Sequence, residues 1–347
     1  MKKTKLLVLS VASLLTFGAM APTITSQAAV KSASTSYQKS KNKALYTYAK
    51  KMMAKNRTGL SGKTAYIFSK KAYKTTGAAA GYSDLLVGLK GHGYKFTKGQ
   101  KNLVAKNLVV NSKSTAADLA TAIMGLKAVG LNPTNFKPAG AKKSMNLVSQ
   151  LYRQSMTKQT VNVQSQSLIA LSASSSFKRP ANAKFTKASL SNAIVKTQQS
   201  NNGWGYSNNL ATVDSDTTSM AVIGLTRGKT TSSAVTGAIT KGQTYLKNAV
   251  YPSGSYGYTF QGKNTPNANS TAEVVIAFST NLNTLKFVNN STKSNQAASS
   301  LRAMLGYVNK TGSIKGAYSQ LLGVGQVNLA TAAYQQAQKK HSVYTLN

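Results

Sequence analysis

Asp84, Asp118, Asp214, Asp216 and Glu273 are the whole acidic complement of a 347-residue chain that carries 44 lysines and arginines. Such scarcity makes each acid a candidate for chemistry: proton donation, cation binding, or the capping of a helix end. Asp214 and Asp216 stand two residues apart, and neighbouring carboxylates push one another's pKa upward. Asp216 with Glu273 is the pair to consider for glycan hydrolysis or elimination, which needs two carboxyls across a scissile bond. His92 and His341 are the only histidines and cysteine is absent, so zinc centres, serine triads and histidine acid–base chemistry lack their parts. No Gly-x-Ser-x-Gly, phosphate-binding loop or dinucleotide fingerprint occurs. These residues favour binding over catalysis, and neither a metal nor a cofactor is expected.

The elements that must position the acids are helices. Leu119, Ile123, Leu126 and Val129 share one helical face, as do Ala297, Leu301, Leu305 and Val308, whereas period-two alternation is scarce. A weak repeat aligns segments ending at Leu89, Leu126, Leu171, Leu225 and Phe278, with a looser sixth from Asn328 to Ala337. Between them lie returning helices centred on 103–110, 145–152, 190–195, 235–246 and 297–308, and these outer stretches are expected to carry most of the lysines. The repeat segments are small-residue-rich and poor in lysine, which fits burial on both sides. An all-α protein follows: an (α/α)6 toroid of helical hairpins over residues 44–340, with an open solenoid as the alternative. Every acid lies near the start of a repeat helix, so parallel inner helices would gather them at one end of the barrel. Thr115-x-x-Asp118 and Ser270-x-x-Glu273 also have capping-box spacing.

Four stretches carry a family resemblance. They are Asp118–Phe136, the Gln-Gln-Ser-Asn-Asn-Gly-Trp-Gly run from Gln198 to Gly205, Val213–Ala221 with its Asp-Ser-Asp-Thr-Thr sequence, and Ser255-Tyr256-Gly257. From Ser114 to Gln338 the chain resembles the terpenoid-cyclase and prenyltransferase-type α/α toroid repeats. It is closest to their secreted bacterial members, which are also similar to the helical domain of cobalamin carriers. In class II terpene cyclases the resemblance would make Asp216 a proton donor and Asp214 its partner, although the fourth position of the Asp-x-Asp-Asp run is Thr217 here. Trp204 is the only tryptophan; flanked by glycines, it reads as a plug between hairpins or as a stacking platform for a ligand, with Tyr256 in the matching loop. The candidate ligand-binding set is therefore Asp118, Asp214, Asp216, Glu273, Trp204 and Tyr256. The catalytic candidates are Asp214, Asp216 and Glu273, and a corrinoid-binding role is a further alternative.

The two ends of the chain and its charge point to an address. Lys2, Lys3 and Lys5 precede an uncharged run from Leu6 to Met20, and Ser26-Gln27-Ala28 reads as a cleavage site, so residues 1–28 are expected to be a signal peptide. The run is too short and too interrupted to span a membrane. Residues 29–43 read as a disordered basic arm and 341–347 as a tail with no covalent anchor. The formal net charge is +39, and loss of the three leader lysines lowers it by only three. Such a field seeks polyanions, and export replaces nucleic acid with a Gram-positive-type wall, whose teichoic acid-like polymers are rich in phosphate. The few arginines (Arg57, Arg153, Arg179, Arg227 and Arg302) suit diffuse attraction rather than bidentate recognition. The expectation is an exported, wall-associated protein that binds a polymer, a glycan or a small ligand at the acidic end of its barrel.

Overall fold

The computed structural model describes residues 30–69, 82–138, 140–260 and 263–346. The expected signal peptide lies outside the described residues. Helices alternate between an outer and an inner layer: α1 (Thr35–Lys55) and α2 (Tyr82–Gly91); α3 (Lys98–Asn107) and α4 (Ala116–Val129); α5 (Leu147–Tyr152) and α6 (Val161–Leu171). The series continues with α7 (Lys187–Lys196) and α8 (Ser215–Gly228), α9 (Ser233–Asn248) and α10 (Ala268–Thr280), and α11 (Ser300–Gly306) and α12 (Gln320–Gln338). The even-numbered helices form a closed ring, because α2 packs on α4, α4 on α6, α6 on α8, α8 on α10, α10 on α12, and α12 returns to α2. This is the (α/α)6 toroid expected from the repeat, with the lysine-bearing helices α1, α3, α7 and α9 on the outside and no lysine in α5 or α11.

Local chemistry sets the helix starts. Thr115 caps α4 through a full capping box with Asp118, and Thr97 does the same for α3 with Gln100. Thr160, Thr186, Ser232 and Ser299 accept first-turn amides at α6, α7, α9 and α11. Ring closure needs small residues where inner helices touch. A side chain on Gly88 would lie 2.8 Å from the Leu329 backbone nitrogen, and one on Gly224 would lie 2.8 Å from Ser165 Cα. These contacts join α2 to α12 and α8 to α6.

Two segments depart from expectation. The basic stretch read as a disordered arm is helical from Thr35, capped by Ser34, and its chain is tied down earlier still. Lys31 pairs with the strand-like residues before α11, donating to Ala297 O at 3.0 Å and accepting from Ser299 N at 3.1 Å. The lysines and serines of α1 form its solvent face, while Leu45, Tyr48, Ala49, Met52 and Met53 bury the other face and propagate helix upstream. The C-terminal segment is no free tail either. Val343, Tyr344 and Leu346 are buried, Leu346 N donates to Ala173 O at 2.8 Å, and the buried Arg227 guanidinium donates to Ser172 O, Tyr344 O and Thr345 Oγ1. Because Ala173 and Arg227 follow or end α6 and α8, the segment covers the C-terminal end of the barrel. Among the described residues no helix is long and apolar enough to cross a membrane.

Candidate functional site

Two short antiparallel hairpins stand at the N-termini of α8 and α10: β1 (Trp204–Gly205) with β2 (Val213–Asp214), and β3 (Tyr256–Phe260) with β4 (Lys263–Asn267). They obey one rule. Trp204 lies opposite Asp214 and Tyr256 opposite Asn267, and Asp214 and Asn267 are the N-caps of the following inner helices. In each case the aromatic residue's backbone N–H donates to a threonine in the first turn: Trp204 to Thr218 at 2.9 Å, and Tyr256 to Thr271 at 3.0 Å. Both rings are fully buried, and the indole N–H of Trp204 donates to Ile194 O at 2.8 Å. They plug the gaps between hairpins. Neither lines the barrel cavity, which removes the ligand-stacking role expected for Trp204 and Tyr256.

The hairpin rule also sorts the acids. Asp214 Oδ1 accepts from Thr217 N at 2.7 Å, and Asn267 Oδ1 accepts from Ser270 N at 2.8 Å, so a neutral amide does at α10 what the carboxylate does at α8. By the same register Asp216 corresponds to Asn269, and Met220 to Glu273. Asp118 belongs to its capping box, accepting from Thr115 N at 3.0 Å and Thr115 Oγ1 at 2.7 Å. Glu273 does not cap: α10 begins at Ala268 with Asn267 as its cap, which places Glu273 in the second turn. The capping box expected for Ser270 and Glu273 is therefore replaced by an Asn267 cap.

The ring encloses a cavity of about 270 Å³ to which every inner helix contributes. Its polar lining includes Asp84, Asp118, Glu273, Gln166 and Gln326, and its apolar wall includes Val87, Met124, Ile169, Met220, Ile223 and Leu322. Tyr344 of the C-terminal segment lines it as well. Among the described residues no lysine or arginine does so. Of the expected acids, Asp118 and Glu273 reach this space, whereas Asp214 and Asp216 stay at the head of α8 outside the lining. Glu273 Oε1 accepts from Gln326 Nε2 at 2.7 Å, and Gln326 Oε1 in turn accepts from Asn269 Nδ2. Sequence reasoning missed Asp84 and Tyr344 as lining residues. Asp84 looked like one more first-turn acid, and nothing local marks a residue of the last segment as returning to the lumen.

Burial governs the protonation of these groups. Desolvation pushes Asp84 up to about 6. It pushes Asp216 up to about 7, with Asp214 adding to the rise and a hydrogen bond from Ser270 opposing it. Glu273 is raised well above the ordinary carboxylate range by desolvation, with Asp84 and Asp216 adding to it. Asp214 is raised by desolvation against the Thr217 hydrogen bonds. The Tyr344 hydroxyl is raised by burial and by Glu273 and Asp84. Four carboxyls therefore face unfavourable ionisation, and Glu273 feels the charge of both Asp84 and Asp216. His92 takes no part: its Nε2 lies 3.2 Å from Asn328 O and 3.1 Å from Thr331 Oγ1, and its ring packs on Tyr46.

No protein-family model matches the chain, and no curated protein matches it in sequence. Among solved structures it is similar to the type II terpene cyclase MstE from Scytonema. A ligand-free point variant of that enzyme superposes with a TM-score of 0.50 at 12% identity, covering 88% of this chain and 99% of that one. A second variant, in complex with the substrate geranylgeranyl dihydroxybenzoate, gives a TM-score of 0.50 at 12% identity over 86% and 99%. At this identity the likeness is one of fold: the chain is an all-α toroid of the terpene-cyclase kind.

Proposed function

We propose that the protein is an exported, non-catalytic toroid held by charge to an anionic, teichoic acid-like wall polymer, with a barrel cavity that receives a small ligand. The observation that carries this reading is the segregation of charge. Lysines such as Lys98, Lys106, Lys113, Lys137, Lys142, Lys143 and Lys158 are exposed, whereas the described lining of the cavity holds carboxyls and no cation. A surface of that kind attracts a polyphosphate diffusely and weakens with salt. The cavity, at about 270 Å³, lies near the lower limit for small-molecule sites and is short of room for a long prenyl chain. Co-sedimentation with purified walls tests the first half: walls carrying teichoic acid should retain the protein, and walls stripped of it should not. Equal retention on both would contradict the polymer assignment.

A second reading has one observation in its favour. Asp216, at about 7, retains a proton near neutrality, as an acid that protonates an olefin must, and the fold is that of MstE, a type II terpene cyclase. Against it, Asp216 is absent from the cavity lining, and among the described residues Tyr344 is the one aromatic there to steady a carbocation. Incubation with polyprenyl substrates separates the two. Turnover by the wild type that disappears in a folded Asp216→Asn variant would establish the cyclase reading.

A further inference from the structure

Resting on the reading that the barrel binds a small ligand, we infer that the occupant is a small organic cation, a protonated amine on an apolar body of about one ring. Glu273 carries the inference. It sits in the second turn of α10, beyond the reach of helix-dipole compensation, and faces the lumen with the Gln326 amide as its hydrogen-bond donor. Asp84 lines the same cavity from α2, and Asp118 lines it from α4. Among the described residues no cationic side chain of this lysine-rich protein lines the space. Half-buried carboxyls facing one enclosed space are costly to ionise, and an ammonium group placed between Glu273 and Asp84 would offset that cost.

The rest of the lining says what the cation is attached to. Val87, Met124, Ile169, Met220, Ile223 and Leu322 supply an apolar wall, and Tyr344 at the closed end adds an aromatic side chain, a residue type that holds ammonium groups. A bare divalent ion suits this wall poorly, because it needs many oxygen ligands. Among the described residues no group of three histidine, cysteine or acidic side chains is placed to hold a metal. In volume, a cavity of about 150 Å³ accepts benzene, so about 270 Å³ accepts one ring with an aminomethyl arm.

Titration calorimetry of the purified protein with benzylamine and its neutral isostere benzyl alcohol, at about pH 8 where carboxyl ionisation is favoured, tests the assignment. Benzylamine should bind at least about tenfold tighter than benzyl alcohol. Glu273→Gln and, independently, Asp84→Asn should each weaken benzylamine about tenfold and leave benzyl alcohol unchanged; either variant suffices should the other fail to fold. Equal binding of the two probes, no binding of benzylamine, or benzylamine binding indifferent to both substitutions would overturn the proposal. Wall co-sedimentation on the same preparation keeps the two claims apart. Retention on walls without benzylamine binding overturns the ligand class alone, whereas benzylamine binding without retention overturns the wall assignment alone.

Discussion

Trp204 lies directly opposite Asp214 across the β1–β2 pair, and that register fixes the start of α8. Since Tyr256 opposite Asn267 fixes α10 in the same way, the Asp214 carboxylate acts as a cap that an amide can replace. Asp214→Asn should change stability by less than about 1 kcal/mol, whereas Asp214→Ala should cost about 1–2 kcal/mol. Urea denaturation of both variants is the check, and a larger loss in the Asn variant would assign the charge a role beyond capping.

The bond from Gln326 to Glu273 joins α12 to α10. Replacing Gln326 with Leu leaves a half-buried carboxyl without its donor, so stability should fall by about 1 kcal/mol. A Gln326→Leu, Glu273→Leu double variant should recover part of that loss, because both polar partners are then gone. Denaturation midpoints of the single and double variants measure it, and a double variant less stable than Gln326→Leu would contradict the account.

Much of this architecture was legible in the sequence, and the reasons are particular. The spacing of Leu89, Leu126, Leu171, Leu225 and Phe278 marked the inner helices because those residues are buried on both sides of the ring. Thr115 and Asp118 announced their capping box, since its chemistry is entirely local. The basic arm was misread because the part of α1 within it, residues 35–43, holds Lys39, Lys41 and Lys43 against the single apolar side chain Tyr37, and its helix depends on the buried residues from Leu45 onward. The β3–β4 hairpin was missed because the alternation of Tyr256, Tyr258 and Phe260 in β3 has no counterpart in β4, which is polar and contains Pro266. Tyr344 was illegible as a cavity residue because its place rests on Arg227 and Ala173, more than a hundred residues upstream.

Ring closure offers a test of the packing. Gly88→Ala puts a methyl group against the Leu329 backbone and should cost about 1–3 kcal/mol. Gly237→Ala, in α9 with open space around it, should instead gain up to about 1 kcal/mol. Thermal denaturation of the pair checks both signs, and equal effects would contradict the tight α2–α12 contact.

Stability should fall as pH rises from about 4 to about 7. Asp84 and Asp216 keep their protons in the folded chain up to about 6 and about 7, whereas in the unfolded chain they release them near 4. The folded state therefore binds more protons across that window, and Glu273 and Asp214 act in the same direction. His92, lowered by burial, opposes them as a single group. Because the chain has only five acids, acidification adds little self-repulsion. Asp216→Asn should flatten the profile and raise stability at about pH 8 by about 1–2 kcal/mol. Melting temperatures across the pH range measure this, and a wild type more stable at about pH 8 than at about pH 5 would reverse the sign.

Salt decides most directly whether charge holds the protein to its polymer. Binding of the purified protein to teichoic acid-bearing walls is measured as the salt concentration is raised. If the exposed lysines displace counterions from a polyphosphate, the logarithm of the binding constant should fall linearly with the logarithm of salt, by about a thousandfold between about 50 and 200 mM. Release should be complete in molar salt. Retention that is indifferent to salt over that range would contradict electrostatic attachment and point to a specific or covalent bond.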